Sequence, residues 1–395
     1  MDPYPLVKFG DVVRQVKDKV DPQTAGLERY LAGEHMDTDN LHIRRWGNIG
    51  DGYLGPAFHM RFKPGQVLYG SRRTYLRKVA VADFEGITAN TTYVIESRDP
   101  DVLLPDFLPF VMSTERFHEH SIKQSKGSVN PYINFSDITW YEFPLPPVDE
   151  QRRIADLLWA ADETYHAHID AREKLEVTKT SKVIDLLEQP VRGNSCDYVL
   201  VEELGNGNTP VLKTGPFGSS LKSEYFSSSG VPVLNISAVG DVDVQHEGLF
   251  YLPYDKAQRF DAYRLVENDI VFSRVAEIGR CILITKECDG WIISSNLIRI
   301  RLDKQKVNPN YFLYLLKYSP YVQKQIRQAT TGGGRMLVNT KTLGKITYPI
   351  PSKSFQEEVV QDIQAFDERI SLMDEHIEII KKLGLELREQ LVGRK

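Results

Sequence analysis

The run FPLPPVDEQRRIADLLWAADE, Phe143 to Glu163, passes from prolines straight into a helical pattern. The run YPIPSKSFQEEVVQDIQAFDE, Tyr348 to Glu368, does the same 205 residues later. That period is far too long for a stacked-repeat solenoid. A chain that writes one junction twice, each time after about 150 residues of mixed structure, reads as a duplicated unit: a globular part, then a long helix. Further correspondences keep the same order. Val67-Leu-Tyr-Gly-Ser-Arg-Arg73 answers loosely to Ile270-Val-Phe-Ser-Arg274, and Leu104-Pro-Asp-Phe-Leu-Pro-Phe110 to Asn308-Pro-Asn-Tyr-Phe-Leu-Tyr314. Pro144, Pro146 and Gln151 answer to Pro349, Pro351 and Gln356.

The helix of the second copy is the clearer one. Val359, Ile363, Phe366, Ile370, Met373, Ile377, Ile380, Gly384, Leu387 and Leu391 step by alternating fours and threes, and only Gly384 is not apolar. Such a seam is the mark of a coiled coil. Stepping back by the repeat length gives Ile154, Leu158, Ala161, Tyr165, His168, Arg172, Leu175, Lys179, Lys182 and Leu186, apolar in its first half and mostly polar in its second. The pattern predicts helices over 149–190 and 354–395, flanking globular parts at 1–148 and 191–353. Asp149 is the expected N-cap of the first helix, and Ser354 with Glu357 a capping box for the second. Pro190 and Gly193 are expected to end the first. Two helices in matching phase most simply pack on each other, and a duplicated chain favours the antiparallel arrangement. About 37 helical residues span roughly 55 Å, more than the roughly 34 Å of one DNA turn. A spacing rod and a plain helical hairpin both fit this pattern.

The globular parts read as α/β (α+β). Strands are expected at Gln66–Gly70, Lys78–Ala82 and Thr91–Glu96, with a helix at Phe107–His118. In the second copy they are expected at Asp269–Arg274, Cys281–Thr285 and Trp291–Ser295, with helices at Asn310–Lys317 and Tyr321–Arg327. Ile298, Ile300 and Leu302 alternate with Arg299 and Arg301, which predicts a half-buried strand with a basic outer face.

Charge is segregated along the chain. The net charge is -5, made up of -2 over 1–148, +5 over 191–353 and -4 in each helical segment. That excludes a uniformly basic nucleic-acid binder, and it suits acidic helices facing protein beside domains that face DNA; solvated helices give the same numbers. Three cysteines without a CxxC pair support neither a disulfide framework nor a zinc site, and a reduced, cytoplasmic setting is expected. The first residues carry no signal-peptide pattern, and no apolar run reaches the ~18 residues of a membrane span. Basic residues cluster at Arg61, Lys63, Arg72, Arg73, Arg77 and Lys78, near Arg44-Arg45-Trp46. In the second copy Lys213, Lys222, Arg274, Arg280 and Arg335 include several beside glycine turns. Such residues can approach phosphates, and Arg can pair bidentately with guanine, although surface bases more often only solubilise.

Catalytic motifs are missing. Gly332-Gly333-Gly334-Arg335 lacks the Lys-Ser/Thr of a P-loop. No lysine has an acid two residues before it, so half of a common nuclease site is absent. Asn130-Pro131-Tyr132 falls one proline short of an adenine-methyltransferase loop. In the pairs His118/His120 and His166/His168 the two rings would point about 200° apart on a helix, so neither pair can share a metal.

Over essentially its full length the chain resembles the specificity (S) subunits of type I restriction-modification systems. The resemblance is carried by Phe143-Pro-Leu-Pro-Pro-Val-Asp-Glu-Gln-Arg-Arg-Ile-Ala-Asp-Leu-Leu158 with Asp162, and by its echo in Tyr348-Pro-Ile-Pro351, Phe355-Gln356 and Asp367. Lys213-Thr-Gly-Pro-Phe-Gly-Ser-Ser-Leu-Lys222, Phe272-Ser-Arg274, Gly279-Arg280 and the segment Pro309 to Ile326 add to it. The second junction departs from the pattern at Ser352-Lys353 and Phe355. The resemblance implies two target-recognition domains separated by two long antiparallel helices, each domain reading half of a split double-stranded DNA site. It also implies no catalysis or cofactor of the chain's own. Two methylation (M) subunits would use S-adenosylmethionine, and restriction (R) subunits would use ATP and Mg. In that frame the expected DNA contacts are Arg72, Arg73, Arg77, Arg44, Arg45 and Lys126 in the first domain, and Lys222, Arg274, Arg280 and Arg335 in the second. A specificity subunit of a related, non-type-I system and a self-contained methyltransferase are the alternatives.

Overall fold

The computed structural model describes residues 4–217, 220–241, 243–275, 277–330 and 337–393. Two compact units divide it, Met1–Asp170 with Asp374–Lys395, and Ala171–Met373. Each holds one globular part with half of each long helix.

The duplication is visible in the strands. In the first unit Leu6–Lys8 pairs antiparallel with Glu142–Pro144, closing the globular part where the helix begins. In the second, Asp197–Leu200 pairs with Thr347–Ile350 in the same way. Above this base the first unit has an antiparallel sheet in the order Val13–Val16, Thr92–Ser97, Val67–Gly70, Val79–Val81. The second repeats that order with Leu212–Thr214, Leu297–Ile300, Ile270–Ser273 and Cys281–Leu283. Each unit also has a sheet built on a parallel pair: Arg29–Leu31 beside Gly86–Ala89, and Val231–Leu234 beside Ile292–Ile293.

These strands are apolar on both faces because each sheet separates two cores. Alternation sends Val67, Tyr69 and Ile95 to one side and Leu68, Ala80 and Val94 to the other. In the second unit Ile270, Phe272, Ile298 and Ile300 face one core, and Val271, Ile282 and Leu297 the other. This corrects the expected basic outer face. Arg299 is buried, and its Nη1 donates to the carbonyls of Ala262 at 3.3 Å and Arg264 at 3.2 Å. Arg301 holds the buried Asp269 at 2.8 and 2.6 Å. Buried arginines survive because carbonyls and a carboxylate replace their water. The expected helix at Phe107–His118 is two helices, Leu108–Met112 and Glu115–Lys123, parted where the Thr114 hydroxyl accepts from Phe117 N at 3.3 Å and caps the second.

The long helices run Val148–Arg192 and Lys353–Leu391. The seam of the second is read out directly by burial. From 361 to 383 only Ile363, Phe366, Ile370, Met373, Ile377 and Ile380 are not exposed. In the first helix Ile154 and Leu158 are buried and Ala161 and Tyr165 half-buried, but Lys182 is exposed and Val183 takes the seam. An unbroken helix drifts ~20° per heptad from a strict seven-residue repeat, so a neighbouring position takes over. Pairing is antiparallel within each unit. Ile154 and Leu158 share a core with Leu387, Leu391 and Val392 in the first; in the second Lys179 meets Asp367 at 2.6 Å while Val183 packs in one core with Val359 and Ile363.

Three helix ends differ from expectation. The first helix starts at Val148, ahead of Asp149. The second is capped by Ser352, whose Oγ accepts from Phe355 N at 3.4 Å, in place of Ser354 with Glu357. Pro190 lies inside the first helix, which ends at Arg192, next to the expected Gly193 and ahead of Asn194 in the left-handed region.

The repeated glutamine explains the repeated junction. Gln151 is fully buried: its Oε1 accepts from Leu104 N at 2.8 Å, and its Nε2 donates to Val102 O at 2.9 Å and Pro146 O at 2.8 Å. Gln356 does the same work, accepting from Asn308 N at 2.8 Å and donating to Pro351 O at 2.9 Å. Each glutamine satisfies backbone groups that the Pro-rich entry and the preceding turn would otherwise bury unpaired.

Candidate nucleic-acid interface

In the first unit the turn between Val67–Gly70 and Val79–Val81 presents Arg72 and Arg73, both exposed. A second loop, 126–132, is fastened beside it. Lys126 and Tyr132 exchange backbone hydrogen bonds at 2.7 and 2.9 Å, Arg73 N donates to Pro131 O at 2.6 Å, and Ile133 N to Ser71 O at 2.9 Å. Arg73 adopts the left-handed conformation, with φ 50°, and its Nε donates to Asn130 Oδ1 at 3.0 Å. The Arg72 guanidinium makes no hydrogen bond or ion pair with a described residue. Val129 at the loop tip is 85% exposed, with Tyr75 and Tyr132 also at the surface. The exposed Arg72 guanidinium, the hydrogen-bonded Arg73 and Asn130, and the exposed rings beside them can contact phosphates and base edges.

The other expected contacts of this unit are engaged. Arg77 is half-buried, ion-paired with Glu115 and 3.7 Å from Asp39. Arg45 pairs with Asp37. Arg44 turns to the long helix, donating to His166 Nδ1 at 2.8 Å and lying 3.3 Å from Asp170. Lys126 meets Asp137 at 2.9 Å; that hydrogen bond raises the lysine's pKa and lowers the carboxyl's.

The second unit repeats the frame. Val338 N donates to Arg274 O at 3.0 Å, as Ile133 N does to Ser71 O, so Arg274 stands where Ser71 stands. Its side chain turns inward, Nε to Val338 O and Nη1 to Ser295 O, both at 3.2 Å. Arg280 pairs with Glu277, reaches Asp241 at 3.6 Å and donates to Val239 O at 3.1 Å. Lys222 is exposed, 3.4 Å from Glu224. Lys213 lies 4.9 Å from the Tyr263 ring centre, a cation–π contact. Arg335 lies outside the described residues. Sequence reasoning named Lys126 but not the rest of the loop 126–132 as a partner of Arg72 and Arg73; the signal was the Lys126-Gly-Ser-Val-Asn-Pro run, whose glycine at φ +90° makes the turn.

The histidines of each H-x-H pair engage different groups. His120 Nε2 lies 2.8 Å from Asp137 O and His168 Nδ1 2.9 Å from Thr164 O. His118 is buried 3.8 Å from Asp39, and desolvation pulls its pKa down to about 3.

A family model for the type I restriction modification DNA specificity domain matches residues 38–177 and again 179–382. The chain belongs to this family. The first match takes in most of the first globular part with the start of its helix, and the second takes in the whole of the second globular part, so the family model matches the chain twice. Among curated relatives, the Methanocaldococcus jannaschii type I restriction enzyme MjaVIII specificity subunit is 22% identical over 99% of this chain and 92% of its own. The Escherichia coli EcoDI specificity subunit is 29% identical over 46% of this chain and 38% of its own. A solved chain described under complex assembly and conformational transition of the type I R-M system superposes with TM-score 0.66 at 16% identity, covering 99% and 98% of the two chains. The S subunit from M. genitalium does so with TM-score 0.55 at 16% identity, covering 100% and 98%. These last two likenesses are of fold. No helix among the described residues is long and apolar enough to cross a membrane.

Proposed function

We propose that this specificity-family chain is the DNA-reading subunit of a type I restriction-modification enzyme, with each unit reading one half of a split, asymmetric site. The observation that carries it is the repeated frame: in both units a turn after the central strand is fastened to a loop about 60 residues later, at Ser71–Ile133 and Arg274–Val338. Two copies of one reading surface with different side chains suit two different half-sites. The long helices set the gap and seat two methylation subunits, and restriction subunits join that core. The chain performs no chemistry; S-adenosylmethionine, ATP and Mg belong to the partners, and the setting is the cytoplasm. Affinity comes from lysine and arginine contacts to phosphate, and specificity from a few side chains at base edges.

The test is Arg72→Ala with Arg73→Ala in the assembled methyltransferase. We expect looser preference in one half of the methylated motif and an unchanged other half, with the salt dependence of binding reduced by about 1–2 in slope. Both halves changing together overturns the two-domain reading.

A further inference from the structure

The duplication provides an internal control for a site outside the DNA surface. Asp162 and Asp367 are equivalent, one repeat length apart on the two long helices. In the second unit Asp367 meets Lys179 Nζ at 2.6 Å. Burial works against that ammonium, yet the Asp367 carboxylate holds the lysine's pKa above its ordinary value. The position equivalent to Lys179 in the first unit is Gly384. A Cβ built there meets nothing within 4 Å. A cavity of about 330 Å³ opens instead, walled by Leu158, Ala161, Tyr165 and Ile380, with Asp162 and His166 on its surface and Lys381 and Arg388 also lining it. The unit that lacks the lysine gathers two histidines around its aspartate. His42 Nε2 lies 2.5 Å from Asp162 Oδ2, His166 Nε2 lies 3.9 Å from Asp162 Oδ1, and the two rings are 4.2 Å apart. One ligand atom from each of the three lies within 4.8 Å of the others.

We propose that His42, Asp162 and His166 bind a divalent transition-metal ion of the zinc class, in the place that an ammonium fills in the other copy. Two imidazoles and a carboxylate are a borderline ligand set that suits zinc, with water completing four-coordination. In the structure Arg44 caps the cluster by donating to His166 Nδ1 at 2.8 Å, which leaves the ring proton on Nε2. Metal binding moves that proton to Nδ1 and frees Nε2 as a ligand. Arg44 then keeps Asp170, already 3.3 Å from both its terminal nitrogens. The ion ties the loop carrying His42, more than a hundred residues earlier, to the long helix. Its role is structural, holding the first globular part on its helix pair.

The test is titration of the purified full-length chain with Zn²⁺ by calorimetry and with Co²⁺ by visible absorption. We expect one saturable ion per chain, a higher thermal midpoint when loaded, and loss of binding in His42→Gln and His166→Gln. Gly384→Lys supplies the missing ammonium, so it should abolish binding while keeping or raising the midpoint. X-ray absorption of the zinc-loaded chain should show two imidazoles and no sulfur; among the cysteines, Cys281 is buried with its pKa pushed up to about 12. Should the variants fail to fold, the wild-type spectrum alone decides. No saturable binding, thiolate ligation, or undiminished binding in the folded histidine variants overturns the site.

Discussion

Replacing Gln356 with Met keeps the length of the side chain and removes every hydrogen bond it makes. Asn308 N–H loses its acceptor and Pro351 C=O loses its donor, in a place where the glutamine is 1% exposed. Each buried group left unpaired costs ~1–3 kcal/mol. The carbonyl sits at the helix entry and recovers part of its loss, so the expected cost is about 2–4 kcal/mol. Gln151→Met strands three groups and should cost more, about 3–6 kcal/mol on the same scale. Equilibrium urea unfolding, followed by circular dichroism, measures both. Gln361→Met is the control: it changes an exposed glutamine on the same helix and should stay within about 0.5 kcal/mol. If Gln356→Met behaves like Gln361→Met, the junction is not held by its glutamine and the reason given for its repetition fails.

Ile370→Asp puts a carboxylate at a seam position that is buried in the second unit; it should cost several kcal/mol and lower the thermal midpoint clearly, whereas an unchanged midpoint would refute the seam. Gly384→Ala should stabilise by roughly 0.5–1 kcal/mol, because it restores helix propensity where there is room for a Cβ, and a thermal melt reads this directly. His118 is held neutral by burial, so the unfolded chain binds the extra proton between the folded pKa of about 3 and the ordinary 6.5. Stability should therefore fall as pH drops below 6.5, by at most about 1.4 kcal/mol per pH unit from this group, and His118→Gln should flatten that slope in urea melts at stepped pH.

The second helix was legible because its apolar residues keep an unbroken four-three rhythm from Val359 to Ile380, and from Ile363 on burial follows it residue by residue. The first helix was harder, since Arg172 and Lys179 occupy seam positions and carry no hydrophobic signal; Lys179 is placed there by Asp367, a partner 188 residues away. Strands such as Ile270–Ser273 announced themselves through composition. Their second face did not. Arg299 was read as an outward base because nothing in its neighbourhood reveals that the backbone at Ala262 and Arg264 covers it. The candidate DNA surface shows the same limit. Arg72 and Arg73 stand out by charge, but Arg77 and Arg44 look identical in sequence until Glu115 and Asp170 are found beside them. The histidine cluster joins residues 42 and 166, a proximity only the fold creates.

The most direct test of the central claim is a genome-wide map of methylated adenine, made with and without this chain in a host carrying its methylation subunit. The account predicts loss of a single motif, split into two unequal halves by a fixed unspecified gap. Loss of a continuous motif, or no change in methylation while the methylation subunit is expressed and bound, would contradict it.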